Sequence, residues 1–161
     1  MRLLPNYHNC FVCGESNKTG IHASFFRDED RVVATCTLTE QHAGYKNIVH
    51  GGLTAAVLDE ALGRIVSSMT GKMVVTGELN VRFHWPIPTG TQVEVTAIMD
   101  KDQKHPHRFW TASGKVVDKE SGKLYTSAWG RFFPIPEEKY EEILSTLEIP
   151  GAGRPVTIQD I

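Results

Sequence analysis

The sequence predicts an α+β domain in which an antiparallel sheet of about five strands wraps one long central helix, and three observations carry that expectation. From Leu53 to Met69 the apolar residues Leu53, Ala56, Val57, Leu62, Ile65, Val66 and Met69 recur at helical spacing, with Leu58 and Ala61 widening the stripe. One β-branched run, residues 31–38, precedes the helix, and four strand-like runs, about 74–84, 91–102, 107–118 and 124–134, follow it. No second long helical pattern separates those four runs, and their short connections cannot make the crossovers that a parallel sheet needs.

The individual elements follow from local chemistry. Gly51 and Gly52 open the helix and Gly71, just past its end, supplies a stop. Its stripe is wide enough to predict burial on most sides. Pro86 to Gly90 forms a turn, Asp118 to Gly122 another, and Pro134-Ile135-Pro136 ends the last strand. A short amphipathic helix is expected around Glu137 to Leu147. Before residue 31, Cys10-Phe11-Val12-Cys13-Gly14 and the polar stretch Glu15 to Gly20 show no period. The chain therefore divides into an irregular lead-in packed on the domain (1–30), the domain itself (31–147) and a loosely attached tail (148–161).

Composition excludes several classes of function. At 161 residues the chain fits one domain with a real core. With 17 basic and 19 acidic residues its net charge is −2, so the molecule as a whole offers no attractive field to nucleic acid or to anionic lipid. No apolar run reaches the roughly eighteen residues of a membrane span, and Met1 to Pro5 does not pattern as a signal peptide. Three cysteines make no disulfide framework, and the expected compartment is the reducing cytoplasm.

The chemistry concentrates in Val49-His50-Gly51-Gly52-Leu53 and in Asp59-Glu60 within the helix. An ionised carboxylate in a helix apolar nearly all round costs several kcal/mol to desolvate unless it is paired or used. For Glu60 the alternatives are a solvated stripe or an i,i+4 pair with Arg64. Glycines at a helix start let a ligand approach the backbone, and the free N–H groups of the first turn can receive an oxyanion. A histidine such as His50, taken alone, is as well explained by structure as by catalysis.

These residues resemble the hotdog-fold thioesterases of the phenylacetate-pathway type. The matching stretches are Cys-Phe-Val-Cys-Gly near residue 10, His-Gly-Gly-Leu-Thr-Ala-Ala-Val-Leu-Asp-Glu-Ala from His50 to Ala61, and Thr76 to Pro88. The resemblance implies a hotdog fold and hydrolysis of an acyl-CoA thioester. It assigns Gly51 N–H to the thioester carbonyl, His50 to shaping that end of the site, Asp59 to the role of general base or nucleophile, and Thr76 to orienting the attacking water. Some relatives carry an amide six residues before the histidine. Here Gly44 stands at that position and Asn47 is the nearest amide.

Thioester hydrolysis needs a nucleophile and donors aimed at the developing oxyanion, and no metal or other cofactor is expected. No Gly-x-Ser-x-Gly elbow supports a serine hydrolase. Gly52, Glu60, Asn47 and Arg82 are candidate substrate contacts, and Lys46, Arg131 and the Lys101–His107 stretch are further candidates for the phosphates of coenzyme A. Trp85, Trp110 and Trp129 read as core or interface. Cys10 and Cys13 have zinc-like spacing with His8 as a third donor, but no second pair completes a tetrahedral site. Two other readings stay open, a non-catalytic acyl-CoA-binding hotdog protein and a hotdog dehydratase. Nine helical residues from His50 to Asp59 rise about 13.5 Å and turn about 900°, leaving the two on opposite sides of the axis. If both serve one thioester, they come from different subunits of a dimer, which the resemblance also implies, often paired again as a tetramer.

Overall fold

The computed structural model describes residues 1–105 and 108–161. The last two residues of the Lys101–His107 stretch, and with them the start of the predicted strand 107–118, lie outside the described residues.

The strands are β1 (Arg2–Leu3), β2 (Asn6–Tyr7), β3 (Ser24–Asp28), β4 (Arg31–Leu38), β5 (Ala43–Tyr45), β6 (Ile48–Val49), β7 (Val74–Phe83), β8 (Thr91–Met99), β9 (Trp110–Asp118), β10 (Leu124–Pro134) and β11 (Leu147–Glu148). The helices are α1 (Gly51–Thr70), between β6 and β7, and α2 (Tyr140–Leu144), between β10 and β11. A seven-stranded antiparallel sheet runs β1-β3-β4-β8-β9-β10-β7 and curls around α1. The expectation of about five strands missed β1 and β3. β3 pairs in full register with β4, Phe25 opposite Ala34, and buries Phe25 almost completely. The lead-in is therefore not irregular throughout: its last turn feeds a hairpin, and a five-residue strand is too short to announce itself by alternation.

α1 buries Thr54, Val57, Leu58, Ala61, Leu62, Ile65 and Val66, the i, i+3, i+4 face that the sheet wraps. On the other side of the helix Asp59, Glu60, Gly63, Arg64 and Ser67 lie together, each half-buried, and only Gly52 and Met69 of α1 are exposed. Gly71 ends the helix with φ of 66°, a left-handed conformation that costs glycine no Cβ clash, and its N–H closes on Ser67 O.

The tail is not loosely attached. β11 pairs with β2, Arg2 Nη1 donates to Gln159 O, and Arg154 clamps Asp160 with bonds of 2.7 and 2.9 Å. Val156 and Asp160 are 7% and 8% exposed. These are contacts between chain ends, which no local pattern encodes. Of the tryptophans, Trp110 joins the core, Trp129 donates Nε1–H to Asp100 at 3.0 Å, and Trp85 is 59% exposed.

Candidate active site

Asp59 sits midway along α1, half-buried, and its Oδ1 accepts a 2.7 Å hydrogen bond from Thr76 Oγ1 on β7. Burial pushes the Asp59 carboxyl above the ordinary aspartate range; the Thr76 hydroxyl opposes that shift and the neighbouring Glu60 charge adds to it. A carboxylate in this state is a better base than a solvated one.

The contact depends on a bulge. In the pairing of β7 with β10, Arg131 faces Glu78 and Phe132 faces Thr76, so Gly77 is an extra residue. Leu79 and Val81 point to the helix from odd positions, whereas before the bulge the inward positions are even, Val74 and Thr76. Gly77 has no room for a side chain, because a Cβ there would come 2.3 Å from the Phe133 ring. The signal was present in the sequence as an isolated glycine inside a strand pattern.

Asp59 and Thr76 open onto a cavity of about 400 Å³ whose walls include Leu4, Met73, Ile135, Ile143 and Leu147. Sequence reasoning missed all five, since they come from the residue after β1, the α1–β7 turn and the chain after β10. Glu60 and Arg64 form one wall. Arg64 Nε donates to Glu60 Oε1 at 2.8 Å, Nη1 to Pro5 O at 2.6 Å and Nη2 to Cys13 Sγ at 3.2 Å. Glu60 therefore has the i,i+4 partner that the sequence offered.

His50 and Gly51 line a different cavity of about 610 Å³, with Tyr45, Phe83 and Trp85. His50 is the N-cap of α1: its Nδ1 accepts from Gly52 N at 2.9 Å, and its own N–H donates to His42 O at 2.8 Å. Gly52 N–H is thus spent on the cap, while Gly51 N–H has no acceptor among the described residues. Within one chain the Gly51 donor and the Asp59 carboxylate are not brought together.

Gly44 packs against His50, and a Cβ there would stand 3.0 Å from His50 Cα, a contact that would require His50 to shift by a few tenths of an ångström. Asn47 occupies the turn between β5 and β6 with φ of 62°, which asparagine tolerates better than most residues. Arg82 is exposed on β7 and has no ion-pair partner among the described residues.

Cys10 Sγ, Cys13 Sγ and a Glu60 carboxylate oxygen lie within 4.8 Å of one another. The third donor is Glu60 rather than His8. A dication here would stand beside the Arg64 guanidinium, which already occupies Glu60 Oε1 and Cys13 Sγ. We expect purified protein to contain no stoichiometric zinc by elemental analysis; one zinc per chain, lost together with the fold on chelation, would overturn that expectation.

Comparison with known proteins shows what this arrangement of a long helix, an enclosing antiparallel sheet and a helix carboxylate at a cavity is similar to. A family profile described as Thioesterase superfamily matches residues 46–105, which include His50, Gly51, Asp59 and Thr76. The chain is 29% identical over 131 residues to the acyl-coenzyme A thioesterase THEM4 of Bos taurus, across 80% of this chain and 52% of that protein. It thus spans about half the length of that relative. Two solved structures share the fold. The Escherichia coli PaaI protein from the phenylacetic acid degradation operon is 20% identical with a TM-score of 0.63, covering 72% of this chain and 81% of that one. A Streptococcus mutans protein bound to acetyl CoA is 17% identical with a TM-score of 0.62, covering 70% and 88%.

Proposed function

We propose that the protein hydrolyses acyl-CoA thioesters to the free acid and coenzyme A. The observation that carries this reading is the half-buried Asp59, bonded by Thr76, in a largely apolar cavity of about 400 Å³ whose polar wall is Glu60 and Arg64. Such a cavity suits an acyl or aryl group, and in this reading the thioester carbon lies beside the Asp59 carboxylate. A module that merely bound acyl-CoA would gain nothing from a desolvated carboxylate beside the thioester. In this reading Asp59 activates water or attacks directly, Thr76 holds that carboxylate and the water, and Gly51 N–H receives the oxyanion.

The two halves meet through a dimer. β7 is an edge strand of ten residues, with Val75 53% and Phe83 56% exposed, and an edge of that length and apolarity is a ready template for a second chain. Full antiparallel overlap of two such edges sets Val74 opposite Phe83 and Thr76 opposite Val81 of the second copy. Phe83 packs on Gly51, 3.2 Å from where a Cβ would stand, and Thr76 bonds Asp59. Pairing therefore carries the Gly51 end of one copy to the Asp59 end of the other. The homodimer is the working unit, whether or not dimers pair into tetramers, and Arg82 and Lys46 are the phosphate contacts we assign to coenzyme A. None of the described helices is long and apolar enough to cross a membrane, and we assign the protein to the cytoplasm.

The test is thiol release from a panel of acyl-CoAs of different chain length and aromaticity. Turnover of at least one of them is expected, and binding without release would favour the non-catalytic reading. With an active substrate, Thr76→Val should lower turnover by about 10- to 100-fold. It should also move the acid limb of the pH–rate profile upward, because the lost hydroxyl is the group holding the Asp59 pKa down. Thr76→Ser should restore both.

A further inference from the structure

The dithiol of the lead-in has no place in thioester hydrolysis, yet its surroundings are built. Three backbone bonds close the turn that carries it: Cys10 N to Tyr7 O at 2.9 Å, Gly14 N to Cys10 O at 3.0 Å and Ser16 N to His8 O at 2.9 Å. The i+4 to i bond across Cys10 and Gly14 gives the turn helical geometry, which sets residues three apart on one side. Gly14 is needed there, because a Cβ would lie 2.5 Å from Cys10 N and 2.6 Å from His8 O. The turn thus sets the two cysteines on one side of the backbone, with their sulfurs within 4.8 Å.

The pair is chemically unequal. Cys10 is half-buried, and Val12 N–H donates to its sulfur at 3.3 Å. Cys13 is buried; its S–H donates to Glu60 Oε1 at 3.6 Å, Arg64 Nη2 donates to its sulfur at 3.2 Å, and the Cys10 sulfur lies within 4.8 Å. Donation from the Cys13 thiol, helped by the Val12 and Cys13 backbone, brings the Cys10 thiol down to about 6 against burial and the Glu60 charge. Cys13 is pushed the other way, by keeping its proton for Cys10 and by burial. An accessible thiolate beside a buried thiol at fixed separation is the arrangement of an attacking and a resolving cysteine.

We propose that Cys10 and Cys13 form a redox site that a hydroperoxide converts to an intramolecular disulfide, and that the change is felt at the Glu60–Arg64 wall of the Asp59 cavity. The Cys10 thiolate attacks the distal oxygen of the hydroperoxide and breaks the O–O bond. Cys10 becomes a sulfenic acid, and the alkoxide leaves and takes up a proton as the alcohol. The Cys13 sulfur then attacks the Cys10 sulfur; its proton and the hydroxyl leave as water. Two thiols and one hydroperoxide give one disulfide, one alcohol and one water, a two-electron exchange. Oxidation removes the S–H that reaches Glu60 Oε1 and draws the Cys13 sulfur, which Arg64 Nη2 contacts, toward Cys10, and Glu60 and Arg64 stand between the lead-in and Asp59. A free thiol pair that cycles this way belongs in a reducing compartment, where lasting disulfides do not.

The disulfide half of the proposal stands on its own; the coupling half rests on the thioesterase reading. Reduced full-length protein would be treated with cumene hydroperoxide at one equivalent and analysed by intact mass and peptide mapping. The expected result is the loss of two hydrogens, a linked Cys10–Cys13 peptide, and Cys36 left as a thiol, with reversal by dithiothreitol. Cys13→Ser should stop at a sulfenic acid on Cys10 that a cyclic 1,3-diketone traps, and Cys10→Ser should leave Cys13 unreacted. Oxidation at Cys36 first, disulfides only between chains, or a folded protein whose Cys10 resists the reagent would each overturn the site. For the coupling, the oxidised protein should lose at least about fivefold in turnover and recover it on reduction, with Cys10→Ser active and indifferent to the hydroperoxide. A disulfide that forms and leaves turnover unchanged would overturn the coupling alone, whereas a wild-type protein that hydrolyses no thioester would count against the proposed function and not against the redox site.

Discussion

Asp59→Asn will lower thioester turnover by about 10²- to 10⁴-fold while leaving the fold intact, the range expected when a positioned base is removed at nearly constant volume. The same substitution should stabilise the protein at neutral pH. Burial raises the Asp59 pKa in the folded state, so its ionised form is disfavoured there relative to the unfolded chain. The stability such a group contributes is present below the unfolded pKa and is lost as pH rises through the folded one. At pH 7 the wild type has therefore lost it, and the amide variant should melt roughly 1–3 °C higher, with the gap closing in acid. Turnover should show the mirror of this dependence, falling on acidification at a pH above that of a solvated aspartate. Glu60→Gln should do less to turnover, because the Glu60 carboxylate is already held by Arg64. Full activity in Asp59→Asn, measured with a substrate that wild type turns over, would sink the mechanism.

A mixed dimer of Gly51→Pro and Asp59→Asn chains should recover activity that neither homodimer has. Proline is tolerated at the first position of a helix, where its missing N–H leaves no intrahelical bond unmade. His50 before it already has φ of −64° and ψ of 126°, the extended conformation a residue preceding proline requires. Gly51→Pro thus removes the proposed oxyanion donor at a position whose backbone suits proline, and the added Cβ meets the exposed Phe83 ring at 3.2 Å, a contact that a small shift of that ring relieves. Loss of one such donor costs about 10²- to 10³-fold. In the heterodimer one site collects both lesions and the other keeps Gly51 and Asp59 intact. Differently tagged chains, co-expressed and purified as the mixed species, should give about half the wild-type turnover per dimer. Mixed dimers as inactive as their parents would refute the shared site.

Much of this arrangement could be read without coordinates. The run 31–38 and the run 124–134 are strands over those same residues, and the helix extends only two residues before and one after its predicted stripe. Local chemistry was enough there, because β-branched runs, a 3.6-residue period and a glycine stop each act over a few neighbouring residues. The type and spacing of His50, Gly51 and Asp59 likewise implied that one helix cannot bring both ends to one carbonyl, a consequence of helix geometry alone.

What the tertiary structure decided are contacts between residues far apart in the chain. Thr76 reaches Asp59 only because Gly77 is bulged out of the β7–β10 ladder, which inverts which side chains face the helix. Inversion of that kind depends on the ring of Phe133 lying over Gly77, a packing fact and not a periodic one. The apolar side of the cavity is assembled from Leu4 just after β1, the turn after α1 and the segment after β10, whose residues carry no shared motif and meet because the two chain ends dock side by side. The sequence by itself determined the central helix, the five long strands and the chemical types at the site, since each of these is local. Which of those side chains face one another was decided by the folded chain, because the free energy of a close contact belongs to a pair and is written in neither residue alone.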